Sequence, residues 1–194
     1  KATGTQIIIP PPSSTICIPN FSKIKITGKS GQFQLISSSI LAIVDDGVVT
    51  LFNLQTGQVS RMKSHLSDVT MLFSNKKWIA TTSRGAVLTL YKMNNPDKYI
   101  YSIPLYRDTI QCAYVSSQFS LAVAGTRDGF LFLISLTTGT SDGAVDLKGA
   151  RPYKVLVTPS WGFILVYMTE LNRGVVRRAL ALYSPNGNLI KRTT

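Results

Sequence analysis

The chain has 194 residues, 44% of them hydrophobic, which is enough to bury a core and sets the scale at one domain or a large part of one. Twenty-one Lys and Arg against nine Asp and Glu give a formal charge of +12, a balance that suits acidic proteins, anionic lipid or nucleic acid as partners. The basic residues stand in ones and twos, as at Lys76-Lys77 and Arg177-Arg178. They form no dense or aromatic-interleaved tract, which disfavours nucleic acid and suits a solvated surface.

Cys17 and Cys112 provide neither a disulfide framework nor a CxxC site, so a reducing compartment is expected. The longest uninterrupted apolar run, Phe163 to Met168, is far short of the roughly 20 residues of a membrane span. The chain opens at Lys1 without an initiator Met or a signal pattern, and reads as a piece of something larger. Plentiful Val, Ile, Thr, Phe and Tyr favour strands. The fold class expected is all-β.

Residues 1–32 read as an extended lead-in or a partial unit, because Ile7 to Ile9 run into Pro10, Pro11 and Pro12, with Pro19 after them. From Phe33 to Thr194 one pattern recurs. A short apolar strand meets a turn ending in Gly, a second apolar strand follows, and then a polar turn. The first strands and their turns are Leu41–Val44 with Asp46-Gly47, Trp78–Ala80 with Arg84-Gly85, Leu121–Ala124 with Asp128-Gly129, and Phe163–Val166 with Arg173-Gly174. The turn glycines stand 38, 44 and 45 residues apart, bracketing the propeller-blade period of about 40 to 45.

Each Gly is expected to supply the positive φ of a two-residue hairpin. The strand after it covers 48–54, 86–93, 130–136 and 178–183. A preceding strand fits at 69–73, 110–115 and 153–157, and a weaker outer strand at 59–62, 99–104 and 144–147. Four strands per unit describe a propeller blade. An immunoglobulin-like sandwich also has short, evenly spaced strands, but it does not repeat this order four times in register.

At the place of the Trp-Asp pair of a WD repeat the units carry Phe52-Asn53, Tyr91-Lys92, Ile134-Ser135 and Tyr183-Ser184, and the usual Gly-His pair is missing. The repeat is degenerate. The stretch Asp108 to Gly129, with Gly162 to Tyr167 and Tyr183 to Leu189 after it, resembles the carboxy-terminal WD-repeat propeller of BEACH-domain proteins, the neurobeachin and beige family. The resemblance is specific over residues 108–190 and general before that. It implies a propeller of about seven blades, here incomplete at four to five. It also implies a preceding pleckstrin-like domain and BEACH domain, and a scaffold role in vesicle and membrane traffic on the cytoplasmic side of membranes.

No enzyme chemistry is legible. His65 is the only histidine, and with Ser64, Ser67 and Asp68 it lies in one short loop, whereas triad members converge from separate elements. Gly28-Lys29-Ser30 mimics the end of a phosphate loop, but Lys23 stands where the first glycine is needed. Asn20-Phe21-Ser22 has glycosylation spacing without any other sign of secretion.

The acidic residues are dispersed, and no cofactor or metal is expected. The distinctive candidates are Arg84, Arg127 and Arg173, at like places in successive hairpin turns, where a ring of guanidinium groups would bind acidic peptides or phosphates. The plainer account is that they keep exposed turns soluble.

The function expected is a protein-interaction scaffold, with other proteins, the upstream BEACH domain of the same chain, or a membrane periphery as partners, and self-association through open blade edges. The competing reading is a basic surface that binds anionic lipid or nucleic acid.

Overall fold

The computed structural model describes residues 32–45, 47–62, 69–172 and 174–193, and none of them is helical. Sixteen strands form four four-stranded antiparallel meanders, each pairing its strands in chain order. Sheet I holds β1 (Gln32–Leu35), β2 (Ile40–Asp45), β3 (Val48–Asn53) and β4 (Val59–Arg61). Sheet II holds β5 (Val69–Ser74), β6 (Trp78–Ser83), β7 (Val87–Lys92) and β8 (Asn95–Pro104). Sheet III holds β9 (Ile110–Ser116), β10 (Leu121–Thr126), β11 (Phe130–Ser135) and β12 (Ser141–Asp146). Sheet IV holds β13 (Arg151–Val157), β14 (Ile164–Asn172), β15 (Val175–Tyr183) and β16 (Leu189–Thr193). The all-β expectation and the four-strand unit agree with this layout.

Sheets stack in sequence order through three separate cores, and strand parity divides the side chains between them. On β10, Ala122 and Ala124 face the core shared with sheet II, while Val123 faces the core shared with sheet IV. On β6, Trp78 and Ala80 pack toward sheet III and Ile79 toward sheet I. Strands covered on both faces have no polar side to present, which explains apolar runs such as Leu121–Ala124.

The first strands of neighbouring sheets touch, and residues of all four, among them Gln34, Phe73, Cys112 and Tyr153, line one pocket of about 290 Å3. Side chains tie these strands across the sheets. Leu72 N donates to Gln32 Oε1 at 2.9 Å, and Asn75 Nδ2 donates to the Val115 carbonyl at 2.7 Å.

The pairs read against the WD motif divide their work. Tyr91, Ile134 and Tyr183 are buried against the preceding sheet. The second residue of a pair can close the next turn, as where Asn53, after Phe52, accepts through Oδ1 from the amides of Gln55 and Thr56 at 2.9 and 3.1 Å. Ser135 Oγ does the same for Thr137 and Thr138. Lys92 departs from the pattern, and its ammonium lies 3.6 Å from the centre of the Trp78 ring.

One glycine sets a sheet spacing. A Cβ on Gly125 would stand 2.7 Å from Pro152 Cγ and 2.8 Å from Cys112 Sγ, so β10 approaches β13 only because position 125 has no side chain. Gly125→Ala is expected to lower stability by about 1–3 kcal/mol through overpacking, read as a lower denaturation midpoint. Beside it, burial pushes the Cys112 thiol up to about 12 from its usual 9.0, against a weaker opposing hydrogen bond from the Gly125 backbone. The folded state therefore keeps this proton while the unfolded chain releases it. Stability from this source is complete below about pH 9 and declines as pH climbs toward 12, and denaturation curves of a Cys112→Ala chain should decline less steeply over that interval.

Candidate hairpin recognition face

In each meander the second and third strands are joined at the same end at which the chain leaves for the next sheet. That common end is fixed by hydrogen bonds between hairpins and connections. Val69 N donates to the Gly47 carbonyl at 2.9 Å, Leu105 N to that of Ala86 at 3.0 Å, and Leu147 N to that of Gly129 at 2.9 Å. The hairpins and the inter-sheet connections thus form one face.

The hairpins are of two kinds. In sheets I and IV Asp45 pairs with Val48 and Asn172 with Val175, so two residues separate the paired strand ends. Between β6 and β7, and between β10 and β11, the loops have three residues, 84–86 and 127–129. In the first of these the residue with positive φ is Ala86, at 54°, and not Gly85. This corrects the two-residue hairpins expected at Arg84-Gly85 and Asp128-Gly129, and in the first it also moves the positive φ off the glycine. A three-residue loop places its left-handed residue last, so Ala86 is the counterpart of Gly129 (φ 89°). The amide of each donates back to the carbonyl of the residue before the loop, Ser83 or Thr126.

The Thr126 hydroxyl accepts from Phe130 N and donates to its carbonyl, both at 3.3 Å. Ser83 stands in the same place with its hydroxyl buried and unpartnered.

Arg84 and Arg127 are each the first residue of their loop and both are exposed. Among the described residues neither has an ion-pair partner. The third arginine of the expected ring, Arg173, lies outside the described residues, as do Ser64, His65, Ser67, Asp68, Cys17, Asn20 and Gly28-Lys29-Ser30.

Two residues that sequence reasoning passed over belong to this face. Arg107, in the connection between β8 and β9, lies 4.0 Å over the Phe130 ring and 3.9 Å from the Asp128 carboxylate, which braces the β10–β11 hairpin. Beside it Tyr106 is 88% exposed with φ at 51°, an uncommon backbone for an aromatic residue. Lys148 repeats that geometry at φ 58° in the next connection, and each follows a buried leucine, Leu105 or Leu147. Aligning Leu105-Tyr106 with Leu147-Lys148 was the available signal. The Asp146 carboxylate accepts from the Lys148 amide at 2.7 Å and pairs with its ammonium at 3.1 Å, and these bonds hold the Asp146 carboxyl below the usual range.

The opposite end is lined by the turns within each sheet's outer and inner pairs. Lys76, Lys77 and Lys92 border a pocket of about 530 Å3 there. Another, of about 660 Å3, lies between sheets III and IV and is lined by Phe119, Leu133, Thr137, Val145 and Pro185 among others.

Among the described residues no group of three or more His, Cys, Asp or Glu is placed to hold a metal ion, and no helix is long and apolar enough to cross a membrane. No family model matches the chain, and no curated protein matches it. The solved structure of a computationally designed protein, Ika4, is similar in fold, with a TM-score of 0.62 at 16% identity over 79% of this chain and 94% of that one.

Proposed function

We propose that the four meanders are blades of a β-propeller of degenerate WD-repeat type, and that the chain is a protein-interaction scaffold of the BEACH class acting in membrane traffic. The stacking of four-stranded units about converging first strands supports the blade reading. The resemblance over residues 108–190 supports the class, with its cytoplasmic, membrane-peripheral setting and an upstream BEACH domain as one partner.

The observation that carries the binding role is the hairpin face. Arg84 and Arg127 recur at one structural position with their charges uncommitted, and Tyr106 stands exposed on the same face. Arg and Tyr are the residues that anchor protein interfaces, and a guanidinium not tied to its own chain is free to take a carboxylate or phosphate in bidentate fashion.

A second reading, direct binding of anionic lipid or nucleic acid, is favoured by one observation, the three lysines around the pocket at the opposite end. Affinity purification with the chain as bait, repeated with an Arg84→Glu/Arg127→Glu pair, separates the two. Partners that are retained by the parent chain and reduced at least about tenfold, a change of 1.4 kcal/mol, by the charge reversal carry the first reading. Retention unaffected by that pair counts against it. The second reading requires binding to anionic vesicles or an oligonucleotide that weakens steeply with salt and is lost in a Lys76→Glu/Lys77→Glu chain.

A further inference from the structure

One hairpin of the hairpin face is longer than the rest. Counted back from the equivalent residues Phe52, Tyr91, Ile134 and Tyr183, the third strands of sheets I, II and III begin four positions earlier, at Val48, Val87 and Phe130. The same position in sheet IV is Ala179, yet β15 begins at Val175, and β14 runs past Met168, the partner of Ala179, to Asn172. The hairpin therefore continues four residues beyond the level of the others, about 13 Å at the rise of a strand. Among the described residues neither flanking strand follows it, since β13 pairs only as far as Thr169 and β16 only as far as Leu180.

The side chains of this ribbon are apolar at the tip and cationic behind it. Leu171 and Val176, a cross-strand pair, are 72% and 67% exposed, and Val175 is 56% exposed. Strand parity turns Val175 to the side of Ala179 and Ala181, which are buried toward sheet III. It is uncovered there because the tip projects past that sheet. Arg177 and Arg178 follow, both exposed and, among the described residues, in no ion pair. The acidic residue of the ribbon, Glu170, is bound to Arg192.

A convex apolar tip with a cationic collar suits an anionic bilayer surface. It offers no groove to a peptide, and a Cβ at Gly174 would meet nothing within 4 Å. An interfacial segment sinks about 5–10 Å to the boundary of headgroups and acyl chains. That depth takes in Leu171, Val175 and Val176 and leaves the two arginines at the level of the phosphates. Deeper entry is barred, because the outer edge of β14 carries backbone groups that hydrocarbon cannot satisfy.

We propose that the β14–β15 ribbon is a membrane-docking arm. Leu171, Val175 and Val176 enter the headgroup region of an anionic bilayer, while Arg177 and Arg178 pair with lipid phosphates and carboxylates. The arm adds a lipid contact beyond the protein partners proposed for Arg84 and Arg127. It rests on the ribbon alone and needs neither those arginines nor the lysine pocket at the opposite end.

Flotation of the 194-residue chain with phosphatidylcholine vesicles, with and without phosphatidylserine, tests it. Binding is expected with phosphatidylserine and should weaken between about 0.05 and 0.5 M salt as the charges are screened. Leu171→Asp/Val176→Asp should reduce it at least about tenfold. Arg177→Gln/Arg178→Gln should reduce it on the order of 20-fold, since each cation near such a surface contributes roughly fivefold. Lys76→Glu/Lys77→Glu, remote from the arm, should stay within about threefold of the parent at physiological salt.

Circular dichroism checks the fold of each variant, and Leu171→Trp gives a readout that does not depend on weakened binding. Its indole should shift to the blue on vesicles and be quenched by lipids brominated near the headgroup end of the acyl chain. Trp78 is buried, and Trp161 lies in the turn at the other end of β14. A parent chain that does not float with anionic vesicles overturns the inference. Binding undiminished in the Leu171/Val176 variant overturns it too, as does binding lost in the lysine variant instead, the result that the opposite-end reading requires. An indole unshifted on bound vesicles also overturns it and leaves the ribbon to a protein partner.

Discussion

A strand in sheet II or III must satisfy two cores at once, because its odd and even side chains are buried on opposite sides. This double burial is the constraint on which the other features of the molecule depend. It removes the polar face that a half-exposed strand keeps, so the register of β6, β7, β10 and β11 is fixed from two directions, and a slip of one residue would exchange the contents of two cores. It also leaves little tolerance in spacing, as at position 125, where β10 and β13 approach too closely for a single methyl group. Polar ties between first strands, through Gln32 and Asn75, add direction to a packing that is otherwise non-directional.

The hairpin face inherits its order from this packing. Arg84 and Arg127 hang from β6 and β10, whose buried residues admit no rotation, so two loops of the same length present two guanidinium groups in the same way. Bracing is uneven along the face. Thr126 and Arg107 secure the β10–β11 hairpin, whereas the β6–β7 hairpin has an unpartnered Ser83 hydroxyl and an alanine in left-handed conformation. The latter costs on the order of 1 kcal/mol relative to glycine. Binding surfaces commonly pair a fixed anchor with a more adaptable neighbour, and these two hairpins differ in that sense.

Much of the layout was legible because it follows from period and turn chemistry. Spacings of 38 to 45 residues between turn glycines announce a repeat, and runs such as Leu121–Ala124 announce strands covered on both sides. What the sequence left out was conformational. Gly85 resembles a turn residue, yet Ala86 takes the positive φ, because loop length and not residue preference decides which position must be left-handed. Tyr106 reads as an ordinary loop tyrosine until the connection around it proves to repeat at Lys148. Arg107 pairs with Asp128 across 21 positions of chain, a distance over which no local pattern speaks. The sequence also ranked Arg84, Arg127 and Arg173 together; the first two share a three-residue loop type, and the third lies outside the described residues.

The coexistence of two-residue and three-residue hairpins on otherwise matching meanders bears on how such a surface changes over evolutionary time. Both loop lengths return the chain to a strand whose parity still sorts its side chains correctly, so an insertion at the hairpin is absorbed before it reaches either core. A lineage can therefore lengthen or rewrite these loops one at a time while the sheets behind them stay under their own, much stricter selection. Loop sequence and foldability are inherited as nearly separate traits.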